Sequence, residues 1–414
     1  MSENRNNQIL TIDTIYIVFF SMYYILPSVS AKFTFLFPLA LVFVYIVIGT
    51  IRNGMKLSTI IVRYLFLIAF ISFLYMILTD ASSIAADVSD RGLKRFLSKY
   101  YQMAMMFFPL LFLKRIIDFS SFRVKKLVLI FSYALFAYVM YITIQELRIN
   151  PNVTRAWAGF EENSPNNVAN YYFVYAIPFI IAISTMLACK AKKNVVKAIM
   201  VALIIYQVYF LLLAQFTLSV LISIIGICAE IYCNTKPGRN KTVLVLLFAT
   251  FAILSPLLFK IAASHVPSEQ MAIRLYEIYY FLVGGDVSGY NMNGRMTLYT
   301  ESIKAFLISP FWGNRHLDFD GHATFLTVLS DLGLLGGIPF YYLYFSSQKR
   351  VRAFIKDKGN CYWPVFFYVS FNGIYKSYTY STTVNVCSMV FSTIINRNLY
   401  GIRGDNLWNR GKLM

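Results

Sequence analysis

Charge is scarce in this chain: 14% of its 414 residues are Asp, Glu, Lys or Arg, and acids number 19 against 38 bases. Soluble domains carry about 25% charged residues, and the stretches between the apolar runs here are too short to build one. Cysteine is sparse as well. Cys189, Cys228, Cys233, Cys361 and Cys387 fall within or beside apolar runs and form no CxxC pair, which argues against a disulfide framework. No glycine loop of the nucleotide-binding kind, no Ser/His/Asp arrangement, no internal repeat and no low-complexity tract is identifiable. The start, MSENRNNQILTID, is polar and lacks a small-residue cleavage site. The apolar segment that follows is therefore expected to stay in the mature protein.

Long apolar runs are what the chain has in abundance, with 58% hydrophobic and 17% aromatic residues. Runs of roughly 17 to 25 apolar residues let a helix cross a hydrocarbon core about 30 Å thick. Twelve such runs are expected to span: 14–31, 33–50, 57–79, 99–117, 124–144, 169–188, 198–214, 217–233, 243–261, 323–345, 361–376 and 378–396. The expected fold is an all-α integral membrane protein of about 12 transmembrane helices. A tail, 1–13, precedes the polytopic domain 14–396, and a second tail, 397–414, follows it.

Basic residues collect in every second loop: Arg52 and Lys56, Lys114 to Lys126, Lys190 to Lys197, Lys236 to Lys241, Lys349 to Lys358, and the C-terminal tail. The positive-inside rule places those loops and both termini in the cytoplasm. The same distribution accounts for much of the net charge of +19, with anionic membrane lipid as the natural counterion. Nucleic acid is not an expected partner.

Three segments then fall on the outer side. Residues 80–98 read as an amphipathic helix in the interface, and 145–168 as a Pro-, Asn- and Gly-containing loop. The largest is 262–322. Within it, Ser268–Val283 has helical spacing and stops at Gly284-Gly285, and the link GGDVSGYNMNG follows. Residues 295–308 predict a second helix with Met296, Tyr299, Ile303 and Phe306 on one face, halted by Pro310.

Several polar residues in or near these segments are candidates for chemistry. Arg295 opens a predicted helix, where free N–H groups and a guanidinium together suit a phosphate; the plain alternative is a solvated Arg pairing with Glu301 or lipid. Arg155 lies in RAWAGFEENSPNN, whose Trp157 and Phe160 suit stacking on a sugar ring or the aromatic belt of an interface. The stretch HLDFDGH places His316, Asp318, Asp320 and His322 two apart. Extended, they would share a face and suit a metal, although the spacing matches no recognised zinc pattern. His322 enters the tenth predicted span and has the proton affinity of a general base, with Asp318 or Asp320 available to hold its other nitrogen. Otherwise it simply marks a helix entrance. Asp331 is a carboxylate within that span, near Gly333, Gly336 and Gly337, which suit either close packing or a kink. Lys260 and Lys376 lie near outer ends of spans, placed to snorkel or to neutralise a diphosphate.

Taken in order, NGRMTLY from Asn293, ISPFWGN around Pro310 and Gly313, DGHATFL around His322 and LSDLGLLG around Asp331 resemble the signature of the bacterial O-antigen ligase and polysaccharide polymerase superfamily. The Arg155 loop, with GFEENSPNNVA, is similar to that family's Arg, Gly, Pro-Asn segment, and twelve spans with a large loop between the ninth and tenth agree. Two features depart from the pattern. AQFTLS around Gln215 stands where the family often has Ser-Arg-Gly, and Ala rather than Asn follows His322, which looks closer to polymerases than to ligases.

The resemblance implies a GT-C-like scaffold in the bacterial plasma membrane, working without metal or cofactor. It would join polyprenyl-diphosphate-linked glycan units into O-antigen or capsular polysaccharide on the outer face. The alternatives are an O-antigen ligase moving finished polymer to a lipid core, or a transporter or flippase of lipid-linked glycan. The implied roles are general base for His322 and diphosphate binding for Arg295 and Arg155, with Arg274, Arg315, Lys260, Asp318, Asp320 and Asp331 as further substrate contacts. Implied partners are the glycan donor and acceptor, membrane lipid, and a chain-length regulator and flippase of the same pathway.

Overall fold

A computed structural model describes residues 122–150, 152–154, 168–235, 238–266, 269–285, 291–313 and 323–354, with isolated positions between 18 and 40. Every regular element among the described residues is an α-helix. In chain order these are α1 (Pro27–Lys32), α2 (Phe122–Ile149), α3 (Tyr171–Lys190), α4 (Asn194–Leu213), α5 (Thr217–Asn234), α6 (Arg239–His265), α7 (Glu269–Val283), α8 (Asn291–Ile308) and α9 (Thr324–Phe354). Four stretches, in α2, α3, α4 and α6, are long and apolar enough to cross a membrane. The predicted spans 33–50, 57–79, 99–117, 361–376 and 378–396 and the segment 80–98 lie outside the described residues, Ala40 apart.

The core forms around α3. Its N-cap is Asn170, whose side chain accepts a hydrogen bond from the Phe173 N–H at 3.1 Å. Phe173 stacks with Phe136 of α2 at 5.0 Å and meets Phe210 of α4 edge-on at 6.1 Å. Tyr175 does the same with Phe216, just before α5, at 5.3 Å. Hydroxyls buried in this apolar setting must find partners. Ser184 and Thr185 donate to the carbonyls one turn back, each at 2.8 Å, and Tyr133 of α2 reaches Ser184 at 3.1 Å. Thr143 of α2 accepts from the Ala169 N–H at 2.8 Å, which ties the entrance of α3 to its neighbour.

The helices of 269–308 follow their sequence signals with one correction. Helix α7 ends at Val283, and Gly284 takes a left-handed φ of 73°, as a glycine stop should. Helix α8 begins at Asn291, so Asn291 to Gly294 belongs to the helix instead of the link, and Arg295 sits a full turn inside it. On α8, which packs on α9, Ser302 and Ala305 are buried, Tyr299 and Phe306 are half-buried and Ile303 is exposed.

The largest correction concerns the tenth predicted span. Helix α9 breaks at Gly333, with φ 58° and ψ −162°. Tyr341 donates its hydroxyl to the Phe325 carbonyl at 2.6 Å, and the Phe325 ring lies 5.4 Å from Tyr341 and 6.0 Å from Phe345. In a straight helix those residues would be about 24 to 30 Å apart. The chain therefore folds back at Gly333 into two antiparallel limbs, Thr324–Leu332 and Leu334–Phe354. At 1.5 Å per residue the first is only about 13 Å long, too short to cross a bilayer, and the second about 31 Å.

Candidate functional site

Three of the predicted site residues are described with their surroundings, and they fall on two packed helix pairs. Arg274 and Lys260 belong to α7 and α6, which lie against one another. Arg274 forms an ion pair with Glu277 at 3.0 Å, one turn along the same helix. Lys260 sits over the Tyr279 ring, 5.4 Å from its centre. Both cations are thus engaged by groups of α7.

Asp331 belongs to the second pair, formed by α8 and α9. It is 6% exposed and lies two residues before the Gly333 break, where the turn after α8 docks. That turn, 309–313, closes through the Gly313 N–H to the Ser309 carbonyl at 2.8 Å. Two further carbonyls of the turn serve the second limb of α9. Pro310 accepts from the Leu334 N–H at 2.8 Å and Phe311 from the Leu335 N–H at 3.2 Å, so the opening donors of the second limb are satisfied by the turn.

Two glycines make the docking possible. Gly313 has φ 80° and Gly333 has φ 58°, conformations costly for any residue with a Cβ. Space forbids a side chain independently. A Cβ on Gly313 would fall on the peptide joining Asp331 to Leu332, and one on Gly333 would fall on the Phe311 carbonyl. The motif glycines thus act as a backbone lock between the end of α8 and the apex of α9.

The backbone of Arg295 belongs to α8, one turn after the helix begins at Asn291. Ala323, the residue after His322, is 1% exposed and begins the first limb by accepting from the Thr327 N–H at 2.9 Å. Thr154, the residue before Arg155, is fully buried after a tight turn in which the Asn150 side chain accepts from the Asn152 N–H at 3.0 Å. Arg155, Arg315, His316, Asp318, Asp320 and His322 lie outside the described residues.

Glu230 and Gln215 are buried polar residues that were not among the predicted site residues. Glu230 of α5 is fully buried, accepts from the Asn234 side chain at 3.2 Å, and has Lys190 at the end of α3 as an opposing charge. A lone acid in the apolar run ICAEIYC was the available signal. Gln215, in the connection from α4 to α5, is buried with a left-handed φ of 58°, a strained state for a non-glycine residue. Nothing in its local sequence announces that conformation.

No protein-family model matches the chain, and no curated protein matches it.

Proposed function

We propose that the protein is a membrane glycosyltransferase that joins polyprenyl-diphosphate-linked glycan units into O-antigen or capsular polysaccharide. The reading rests on the ordered motifs around Arg295, Gly313, His322 and Asp331. The observation that carries it furthest is the glycine lock, which makes one packed unit of the helix bearing Arg295 and the hairpin bearing Asp331. The segment 314–322 has both its flanking residues, Gly313 and Ala323, anchored on that unit. The motif segments around Gly313 and Asp331 thereby share one packed unit with the helix that carries Arg295.

In the reaction an acceptor hydroxyl oxygen attacks the anomeric carbon of the donor sugar. The bond from that carbon to the diphosphate oxygen breaks as the new glycosidic bond forms. His322 takes the hydroxyl proton, and the departing lipid diphosphate keeps the bonding electron pair, its charge held by Arg295 and Arg155. Both termini face the cytoplasm on this reading, and the reaction takes place at the outer face.

The test is the surface glycan of cells carrying His322→Ala or Arg295→Ala at normal protein level. A polymerase defect leaves acceptor capped by a single repeat unit. Bare acceptor with polymer retained on the carrier lipid would identify a ligase instead, and an unchanged long-chain ladder in both variants would refute the site assignment. The α9 hairpin is a discontinuous helix of the sort transporters use in pairs. Its two leading N–H groups are, however, taken up by Pro310 and Phe311, so they are not presented to a substrate.

A further inference from the structure

From Asn163 to Ser268 the chain has one acid, Glu230, while seven bases fall between Lys190 and Lys241. The fold brings those bases to one side. Helices α3 and α5 run parallel: Tyr175 meets Phe216 near their starts, Gly226 stands against Ala182, and Glu230 faces Lys190 near their ends. The links that follow them, 191–193 and 235–238, therefore leave at the same level, where α4 and α6 begin. Glu230 is fully buried with Lys190 as its opposing charge, so it offers no counterion to the surface. Lys197, exposed at the start of α4, lies within electrostatic reach of Cys189 at the end of α3. Lys241, on α6, lies within reach of Cys233 and sits over the exposed Tyr232 ring of α5, 4.5 Å from its centre. Glu230 is within reach of both cysteines, which ties the two lysines to one corner.

We propose that this corner holds one anionic phospholipid, with Lys197 and Lys241 as its phosphate contacts and its acyl chains along α4 and α6. No exposed acid in this segment neutralises the two lysines, so their counter-charge comes from outside it. A basic corner between membrane helices suits an anionic headgroup. The surfaces that run on from the cations favour a lipid over a free anion. Val195 and Ile199 follow on α4, Val243 and Leu246 on α6, and all four are exposed and apolar. Helices α4 and α6 also open here without a side-chain cap, which adds partial positive charge to that of the lysines. The two lysines belong to different helix pairs. One headgroup would thus bridge α3–α4 to α5–α6, which a diffuse cloud of counterions would not do. The proposal does not depend on the glycosyltransferase reading.

Native mass spectrometry of the full-length protein in non-ionic detergent tests this, with phosphatidylglycerol, phosphatidylcholine and glycerol phosphate as probes. The expected result is one retained phosphatidylglycerol, preferred over phosphatidylcholine by about twenty-five-fold. Lys197→Gln and Lys241→Gln should each lower that preference about fivefold, and the two together should abolish it. Replacing both lysines by Arg keeps the charge and should keep the preference. Lys304→Gln, an exposed lysine on α8, should leave it unchanged. Added salt should weaken the binding, as it does for exposed charges. Equal retention of the two lipids overturns the proposal, as does an unaltered preference in the double Gln variant with its unfolding temperature unchanged. Displacement of the lipid by an equal concentration of glycerol phosphate would reveal a site for soluble anions and overturn the lipid assignment.

Discussion

Helices α3 and α6 both carry stretches apolar enough to cross a membrane, and α6 is the more apolar, yet 83% of Phe173–Lys190 is buried and none of the most apolar stretch of α6 is. In water that ordering would be reversed, because apolar surface seeks the interior. Lipid removes the distinction, since hydrocarbon tails are as apolar as leucine, and burial must come from packing and from polar groups that need partners. Helix α3 supplies both. Its aromatic residues interlock with α2, α4 and the start of α5, and its hydroxyls are satisfied within the bundle. Helix α6 offers aliphatic residues such as Leu246, Ile253 and Leu257, all exposed.

The sharpest way to break this comparison is to truncate one large side chain in each helix. Phe179→Ala in α3 should destabilise the protein by about 3 to 5 kcal/mol, while Ile253→Ala in α6 stays within about 0.5 kcal/mol. Thermal unfolding in nanodiscs measures both, and similar losses would mean that α6 is covered in the assembled protein. A smaller effect is expected at the α9 apex. Gly333→Ala should cost about 2 to 4 kcal/mol through its left-handed backbone and the clash with Phe311, and should expose the second limb to proteolysis. A tolerant Gly333 would show that the limbs are held by their ring contacts alone. The smallest change concerns Gln215, in the connection from α4 to α5. Gln215→Gly should raise stability by about 1 kcal/mol by relieving backbone strain, and a loss would show that the side chain contributes more than the strain costs.

Local signals were legible and distant ones were not. The stop of α7 could be read because Gly284 alone supplies it, and α8 ends before Pro310 for an equally local reason. The start of α8 was misplaced because Asn291 to Gly294 has the composition of a link and yet is helical. Ser302 and Ala305 did not look like a buried face, since nothing near them indicates how close α9 comes. Among the site candidates, Asp331 was conspicuous as an acid in an apolar run. Its relation to Gly313 depends on a contact across seventeen intervening positions and has no sequence period. Lys260 was recognisable as a cation near the end of an apolar run and Arg274 entered through the resemblance, but their partners, Tyr279 and Glu277, came only with the fold.

Composition and run length by themselves determined that this is a helical membrane protein, because the thickness of hydrocarbon and the need to satisfy every backbone group leave an apolar run of twenty residues few alternatives. Which apolar helix became the core, and whether LGLLGG would stay a straight span or turn back, was decided only in three dimensions. A glycine permits a kink without requiring one. The turn from Pro310 to Gly313 takes up the N–H groups that the break sets free, and so makes the fold-back at Gly333 the stable choice.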